Sequence, residues 1–286
     1  MCESKVWLIT GCSSGFGREI ALAALARGDT VVATARDPAT LADLEATGAI
    51  GQRLDVTEGD ANLAAVVDDI VAKTGGRIDI LVNNAGYILT GAVEECSRDE
   101  IQAIFNTNVF GQLSVARAVL PIMRRQRSGT IANLGSIIGW LGMPGGGMYC
   151  ATKACAAMLS EALRGEVAHL GIKVTCIEPG YFRTPCLAPG RRIRARTVIE
   201  ELEEGATGAT IRYLDAVDGR QQGDPAKGAA VIVEALTGTG RAVGRELPPR
   251  FVIGKDAYEI VSENINSNRA NLESWKDLTT LTDHDS

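Results

Sequence analysis

The chain predicts an α/β fold, a doubly wound parallel sheet covered by helices on both faces. Two observations carry this: short runs rich in Val, Ile and Leu alternate with helical patterns, and a glycine-rich turn joins the first such run to the first helix. "VWLIT" (6–10) is strand-like, and "GREIALAALARG" (17–28) has apolar residues at 20, 22, 25 and 26, with Gly28 as terminator. "TVVATA" (30–35) is the second strand, and "PATLADLEATG" a helix whose Pro38 suits a first turn. Further strands are expected at 50–55, 78–83, 130–134 and 172–178, and helices at 60–73, 98–125 and 149–170. The last helix closes at Gly171, with His169 in its final turn.

No linker or repeat interrupts this alternation before about residue 186, so residues 1–286 are read as one Rossmann-type domain. The pattern then loosens. "LAPGRRIRARTVIEELEEGATG" begins a lid-like insertion at about 187–222, followed by a helix near 225–237 and a short strand near 251–253. A polar helix ends an extension that runs over about 247–286. The insertion falls beside the carboxyl ends of the strands, where open α/β sheets bind ligands. As a helix, its basic start and acidic end would oppose the macrodipole, so a mobile lid that orders over a substrate is expected rather than an anion-recognition patch.

A net charge of −6 speaks against a nucleic-acid surface, and no apolar run approaches the ~20 residues of a membrane span. The amino terminus enters a strand without a signal-peptide core, which makes a cytoplasmic protein the expectation. The seven cysteines, at 2, 12, 96, 150, 155, 176 and 186, form no Cys-x-x-Cys pair and read as buried free thiols. With only His169 and His284, far apart, no metal site is expected.

"TGCSSGFG" follows the first strand directly. Gly11, Gly15 and Gly17 permit a tight turn and close backbone approach, while Ser13, Ser14 and Phe16 complete a loop that offers helix N–H groups to a pyrophosphate. Cys12 lies within this loop, which raises the possibility of oxidation blocking a nucleotide. At the end of the second strand, where an acid would hold a ribose 2′-hydroxyl, stands Ala35, with Arg36 next and Asp37 after it. An arginine there suits a 2′-phosphate, which favours NADP(H) over NAD(H).

Seven motifs in register make the sequence similar to the short-chain dehydrogenase/reductase family, closely over about residues 5 to 185. They are "TGCSSGFG", "LDVT" (54–57), "NNAG" (83–86), "NTNVFG" (106–111), Ser136 in "LGSIIG", "YCATK" (149–153) and "PGYFRT" (179–184). The resemblance implies that Asp55 and Val56 meet the adenine, that Asn83, Ala85 and Gly86 lie beside the ribose, and that Pro179, Gly180, Phe182 and Thr184 follow the nicotinamide and phosphates. It implies hydride transfer at the B face of the nicotinamide, with Tyr149 as general acid or base. Lys153, one helical turn from Tyr149, would lower the phenol's pKa and hold the ribose. Ser136 would bind the substrate oxygen, and the Asn108 carbonyl would hold a relay water beside Lys153.

Tyr87, Trp140, Leu141, Met143, Met148 and Tyr181 fall beside these motifs and suggest an apolar substrate pocket, as in relatives resembling retinol or hydroxysteroid dehydrogenases. "MPGGGM" (143–148) would make its wall flexible, and Cys150 should point away from the reaction. The expected partner is a hydrophobic small-molecule ketone or alcohol, handled by a homodimer or homotetramer that pairs helices including the one carrying Tyr149. Two other uses of the fold are a non-redox cyclisation or elimination with NADP(H) as scaffold, and a nucleotide sensor without turnover. A sensor has no need of the acid, and an acyl-carrier-protein reductase would have to bind an acidic carrier with an acidic surface.

Overall fold

A computed structural model describes residues 4–284; Cys2 lies outside this range. Nine strands are formed by the described residues: β1 (Val6–Ile9), β2 (Thr30–Ala35), β3 (Ile50–Arg53), β4 (Ile80–Asn83), β5 (Ile88–Thr90), β6 (Gly129–Leu134), β7 (Ile172–Pro179), β8 (Arg192–Arg194) and β9 (Arg250–Ile253). Seven of them make one parallel sheet in the order β3-β2-β1-β4-β6-β7-β9. The order reverses between β1 and β4, which opens a crevice at the carboxyl ends of these strands.

The helices are α1 (Gly15–Ala26), α2 (Ala42–Ala46), α3 (Asp60–Lys73), α4 (Arg98–Phe105), α5 (Gly111–Gln126), α6 (Gly147–Val167), α7 (Glu200–Glu203), α8 (Ala206–Val217), α9 (Pro225–Thr237), α10 (Lys255–Ser274) and α11 (Lys276–Thr279). The pleat of β1 divides the core. Trp7 and Ile9 pack with α1 and α9 on one face, through Ile20, Ala24, Ile232 and Val233. Leu8 packs on the other against Leu63 and Val67 of α3 and Val115 and Val119 of α5. All three β1 side chains are fully buried, each worth about 1.5–3 kcal/mol of transfer free energy. Trp7 still satisfies its indole N–H, which donates to Asp29 at 2.9 Å.

Two features depart from the sequence reading. The helix expected over 98–125 is broken by a π-helical segment, Asn106–Phe110, between α4 and α5. Extra residues of this kind are common beside functional sites, and they cannot be read from apolar periodicity. The second is a small parallel sheet, β5 with β8, in which Ile88–Thr90 pairs with Arg192–Arg194. Three-residue strands so far apart in sequence leave too short an alternation to detect.

The lid is therefore anchored at its base. The basic half of "RRIRAR" is strand, not helix, and the acidic half supplies the favourable first turn of α7 with Glu200, Glu201 and Glu203. Arg192 pairs with Asp215, Arg194 with Glu203 and Arg196 with Glu100. Buried Glu95 accepts the Ile199 N–H at 2.8 Å, and Glu100 accepts that of Arg196 at 2.9 Å. "MPGGGM" is packed rather than loose: Gly145 and Gly146 are buried, and the Gly145 carbonyl accepts the Gly91 N–H at 2.8 Å. Arg127 donates to the His169 carbonyl, and Gly171 caps that helix end at φ 76°.

Candidate active site

The glycine loop is built against the end of β4. Thr10 Oγ accepts the N–H groups of Asn84 and Ala85 at 3.0 Å each, and the Asn84 amide donates to the carbonyls of Thr10 (2.8 Å) and Gly11 (3.0 Å). Gly11 has φ +71°, and a Cβ there would come within 2.9 Å of the Ala85 backbone. At Gly17 a Cβ would lie 2.5 Å from the Gly11 carbonyl oxygen and 2.4 Å from Asn84 Nδ2. Ser14 begins α1 without capping it through its side chain, which leaves the first N–H groups of a twelve-residue helix open to the cleft. An uncapped helix end behind a turn too tight for any side chain fits a dinucleotide pyrophosphate.

A cleft of about 730 Å³ runs from this loop to Tyr149. Ser13, Gly15, Phe16, Arg36, Asp55, Val56, Ala85, Gly86, Pro179, Gly180, Phe182 and Thr184 line it, as the sequence reading expects. Phe16 and Phe182 meet edge to face with centroids 4.9 Å apart. Asn83 does not line the cleft. It is fully buried behind it, where it donates to Asn133 and to the Gln112 carbonyl, and the neighbouring Asn84 faces the loop instead. Gly17 also lies behind the cleft surface, as the contact that lets α1 approach Gly11.

Ser136, Tyr149 and Lys153 converge at the far end. Lys153 Nζ lies 5.6 Å from the tyrosine ring centroid, and Ser136 faces the same end of the cleft. The lysine is 5% exposed and donates to the Leu134 carbonyl at 2.7 Å. This geometry corrects one expectation. Burial pushes the Tyr149 phenol above its ordinary value, and burial brings Lys153 down to about 8. In the free protein desolvation dominates both shifts, and the ammonium donates to the Leu134 carbonyl.

Asn108, fully buried in the π segment, acts as a clamp through its side chain. Its Oδ1 accepts the Tyr87 N–H at 3.0 Å, and its Nδ2 donates to the Tyr87 carbonyl and to Thr152 Oγ. Thr152 in turn donates to the Tyr149 carbonyl, so the clamp reaches the helix that carries the phenol.

Of the expected pocket residues, Tyr87, Ser136, Met143 and Tyr181 line the cleft, while Trp140, Leu141 and Met148 do not. Trp140 donates to buried Glu178 at 2.8 Å and lies under the Arg250 guanidinium, 3.6 Å from its ring centroid. Its indole completes a buried ion pair, a role that sequence distance from Arg250 conceals. Met148 packs instead with Leu89, Ile104 and Ala195. Sequence reading missed Asp256, which accepts the Tyr181 N–H at 2.6 Å and fixes the Pro179–Thr184 strip from the start of α10.

Cys150 packs with Ile137, Ile138 and Val261, away from the cleft. Cys12 turns into the core, fully buried, donates to the Ile9 carbonyl and is pushed up to about 12 by burial. It is no redox gate on the phosphate loop. Four of the described cysteines, Cys12, Cys96, Cys150 and Cys176, are buried as expected, whereas Cys155 is half-buried and Cys186 is exposed on the cleft wall.

The model of the short chain dehydrogenase family matches residues 5–194. An oxidoreductase named BOA17 from Botryotinia fuckeliana is 36% identical over 96% of this chain and 98% of its own length. The crystal structure of a short-chain dehydrogenase from Streptomyces avermitilis superposes with a TM-score of 0.89 at 41% identity, covering 99% of this chain and 100% of its own. A short-chain dehydrogenase/reductase from Burkholderia phymatum, solved in complex with NAD, superposes at 0.76 with 27% identity, covering 93% and 95%. Together with the seven-stranded parallel sheet and the glycine loop at its switch point, these likenesses place the chain in the short-chain dehydrogenase/reductase family of oxidoreductases.

Proposed function

We propose that the protein is an NADP(H)-dependent carbonyl reductase or alcohol dehydrogenase for a mid-sized hydrophobic ketone or secondary alcohol. The observation that carries this reading is the convergence of Ser136, Tyr149 and Lys153 at one end of a cleft whose other end is the glycine loop. When bound, the dinucleotide supplies or accepts the hydride. Everything else falls to the chain. Ser136 and Tyr149 present two hydroxyls to a substrate oxygen, and the high phenol pKa keeps Tyr149 protonated, ready to donate as charge grows on that oxygen. Lys153 holds the ribose and stabilises the phenolate once the proton has left. Asn108 sets the Tyr87 backbone and, through Thr152, the Tyr149 helix, and its own carbonyl holds a relay water beside Lys153.

Arg36 supports NADP(H). It is exposed on the cleft wall, whereas the Asp37 carboxylate accepts the Ala39 N–H at 3.0 Å as the cap of a short 3₁₀ turn. Residues 187–222 serve as the lid of a single catalytic domain. Exposed Phe110 and Leu113, with Met158 and Leu159 on α6, support a homodimer or homotetramer paired through these helices. Among the described residues no helix is long and apolar enough to cross a membrane, and six free cysteines support a reducing, cytoplasmic setting.

A panel of ketones and secondary alcohols followed by NADPH absorbance tests the reading. Turnover is expected to fall by about 10²–10⁴-fold in Tyr149→Phe. Turnover that survives this change removes Tyr149 from its role. Titration with both cofactors should show NADPH bound more tightly than NADH, with the preference lost in Arg36→Ala. Equal or tighter NADH binding by the wild type refutes the cofactor assignment.

A further inference from the structure

Gln221 stands at the carboxyl end of the lid. Two residues on, the Gly223 N–H donates to the Tyr181 carbonyl and the Gly223 carbonyl accepts the Arg183 N–H, so this stretch is pinned along the Tyr181–Arg183 strip. The Gln221 backbone carbonyl adds a bond from Arg183 Nε at 3.2 Å. The side chain is 3% exposed and lines the same cleft as Tyr149, yet neither its amide oxygen nor its amide nitrogen has a hydrogen-bond partner in the chain. Buried amides are ordinarily satisfied, and an unpaired one destabilises the fold that holds it. An apolar residue at this position would carry no such cost. A donor and an acceptor held on a backbone fixed by three hydrogen bonds, buried and facing a cleft, are preorganised for a ligand.

We propose that Gln221 is a specificity-determining residue that recognises a neutral polar group, a hydroxyl or carboxamide, carried by the substrate away from its reacting carbonyl. The inference rests on the ketone reductase reading above. An amide that both donates and accepts pairs fully with either group, and a substrate lacking one leaves Gln221 unsatisfied, which turns a hydrogen bond into discrimination.

The test uses the wild-type enzyme loaded with NADP⁺, in which a bound ketone cannot turn over. Benzylacetone, homologues with a longer chain between ring and carbonyl, and their para-hydroxy and para-carboxamide derivatives are titrated calorimetrically. At least one polar derivative should bind about tenfold more tightly than its parent. Gln221→Leu should erase that preference while leaving NADP⁺ and the apolar parents within about twofold of wild type. Should Gln221→Leu fail to fold, Gln221→Asn, with the amide drawn back by one methylene, should fold and weaken the preference. The proposal is overturned by a wild type indifferent to the polar group, by a preference that survives Gln221→Leu or is unchanged in Gln221→Asn, or by a loss of NADP⁺ affinity matching the loss for ketone, which would assign the amide to the cofactor. Turnover of the same ketones with NADPH is read separately. Binding with the expected preference but without turnover would sink the reductase reading and leave the recognition site standing.

Discussion

The glycine cradle and the lid both border the cleft, but they are held together by different physics. The cradle, formed by residues 10–17 and 83–86, is fixed by hydrogen bonds that Thr10 Oγ accepts from backbone N–H groups and Asn84 donates to backbone carbonyls, and by clearances that exclude a Cβ. The lid is held at its base by exposed ion pairs, Arg194 with Glu203 inside the lid and Arg196 with Glu100 outside it. Steric exclusion leaves one permitted residue at each tight point. Exposed charge pairing permits many, is screened by salt and contributes little per pair. One region is rigid because it has no alternatives, and the other keeps its place on small energies.

Breaking the cradle should give the larger effect. Gly17→Ala places a methyl 2.5 Å from the Gly11 carbonyl oxygen, so α1 must shift away from the loop. Stability is expected to fall by about 1–3 kcal/mol in denaturant titration, with at least ~tenfold weaker NADPH binding by fluorescence. Unchanged binding would show that the cradle yields more readily than its clearances imply.

A test between the two regions concerns Lys153. Folded, it titrates near 8, and in the unfolded chain near the ordinary lysine value of 10.5. Below about 8 both states hold the proton and the burial penalty is complete. Between 8 and 10.5 only the unfolded chain holds it, so wild type should gain stability relative to Lys153→Met as pH rises, by up to ~3 kcal/mol. A stability difference that stays flat across this window would contradict the depressed pKa.

The smallest change is expected in the lid. Arg194→Ala removes the pair with Glu203 and should cost less than ~1 kcal/mol, within a degree or two of Tm. Its effect should appear instead as a raised KM for ketone with kcat retained. A fall in stability comparable to that of Gly17→Ala would mean that the two regions are held alike.

The same contrast explains what could be read in advance. The sheet, the glycine loop and the Ser136, Tyr149 and Lys153 positions announce themselves through local pattern or fixed spacing. Trp140 does not, because its partners Glu178 and Arg250 come from β7 and β9, and nothing local separates a tryptophan completing an ion pair from one lining a pocket. Asn83 and Asn84 are adjacent and identical, and only the turn at the end of β4 decides which faces the loop. Gln221 left no trace in the sequence, since an amide in a polar stretch looks solvated until Gly223 is seen pinned to Tyr181. The upward shift of Tyr149 is hidden for a related reason: spacing gives the direction of a neighbouring charge but not the depth of burial.

The π segment between α4 and α5 carries a further consequence. α4 directs Ile104 into the cluster with Leu89, Cys96 and Ala195, whereas α5 directs Val115, Val119 and Ile122 into the core beneath the sheet. One residue corresponds to about 100° of helix rotation, so the surplus residue between them acts as a phase shifter. It lets a single rod of backbone serve two interiors that face different ways, with Asn108 placed at the point where the phase changes.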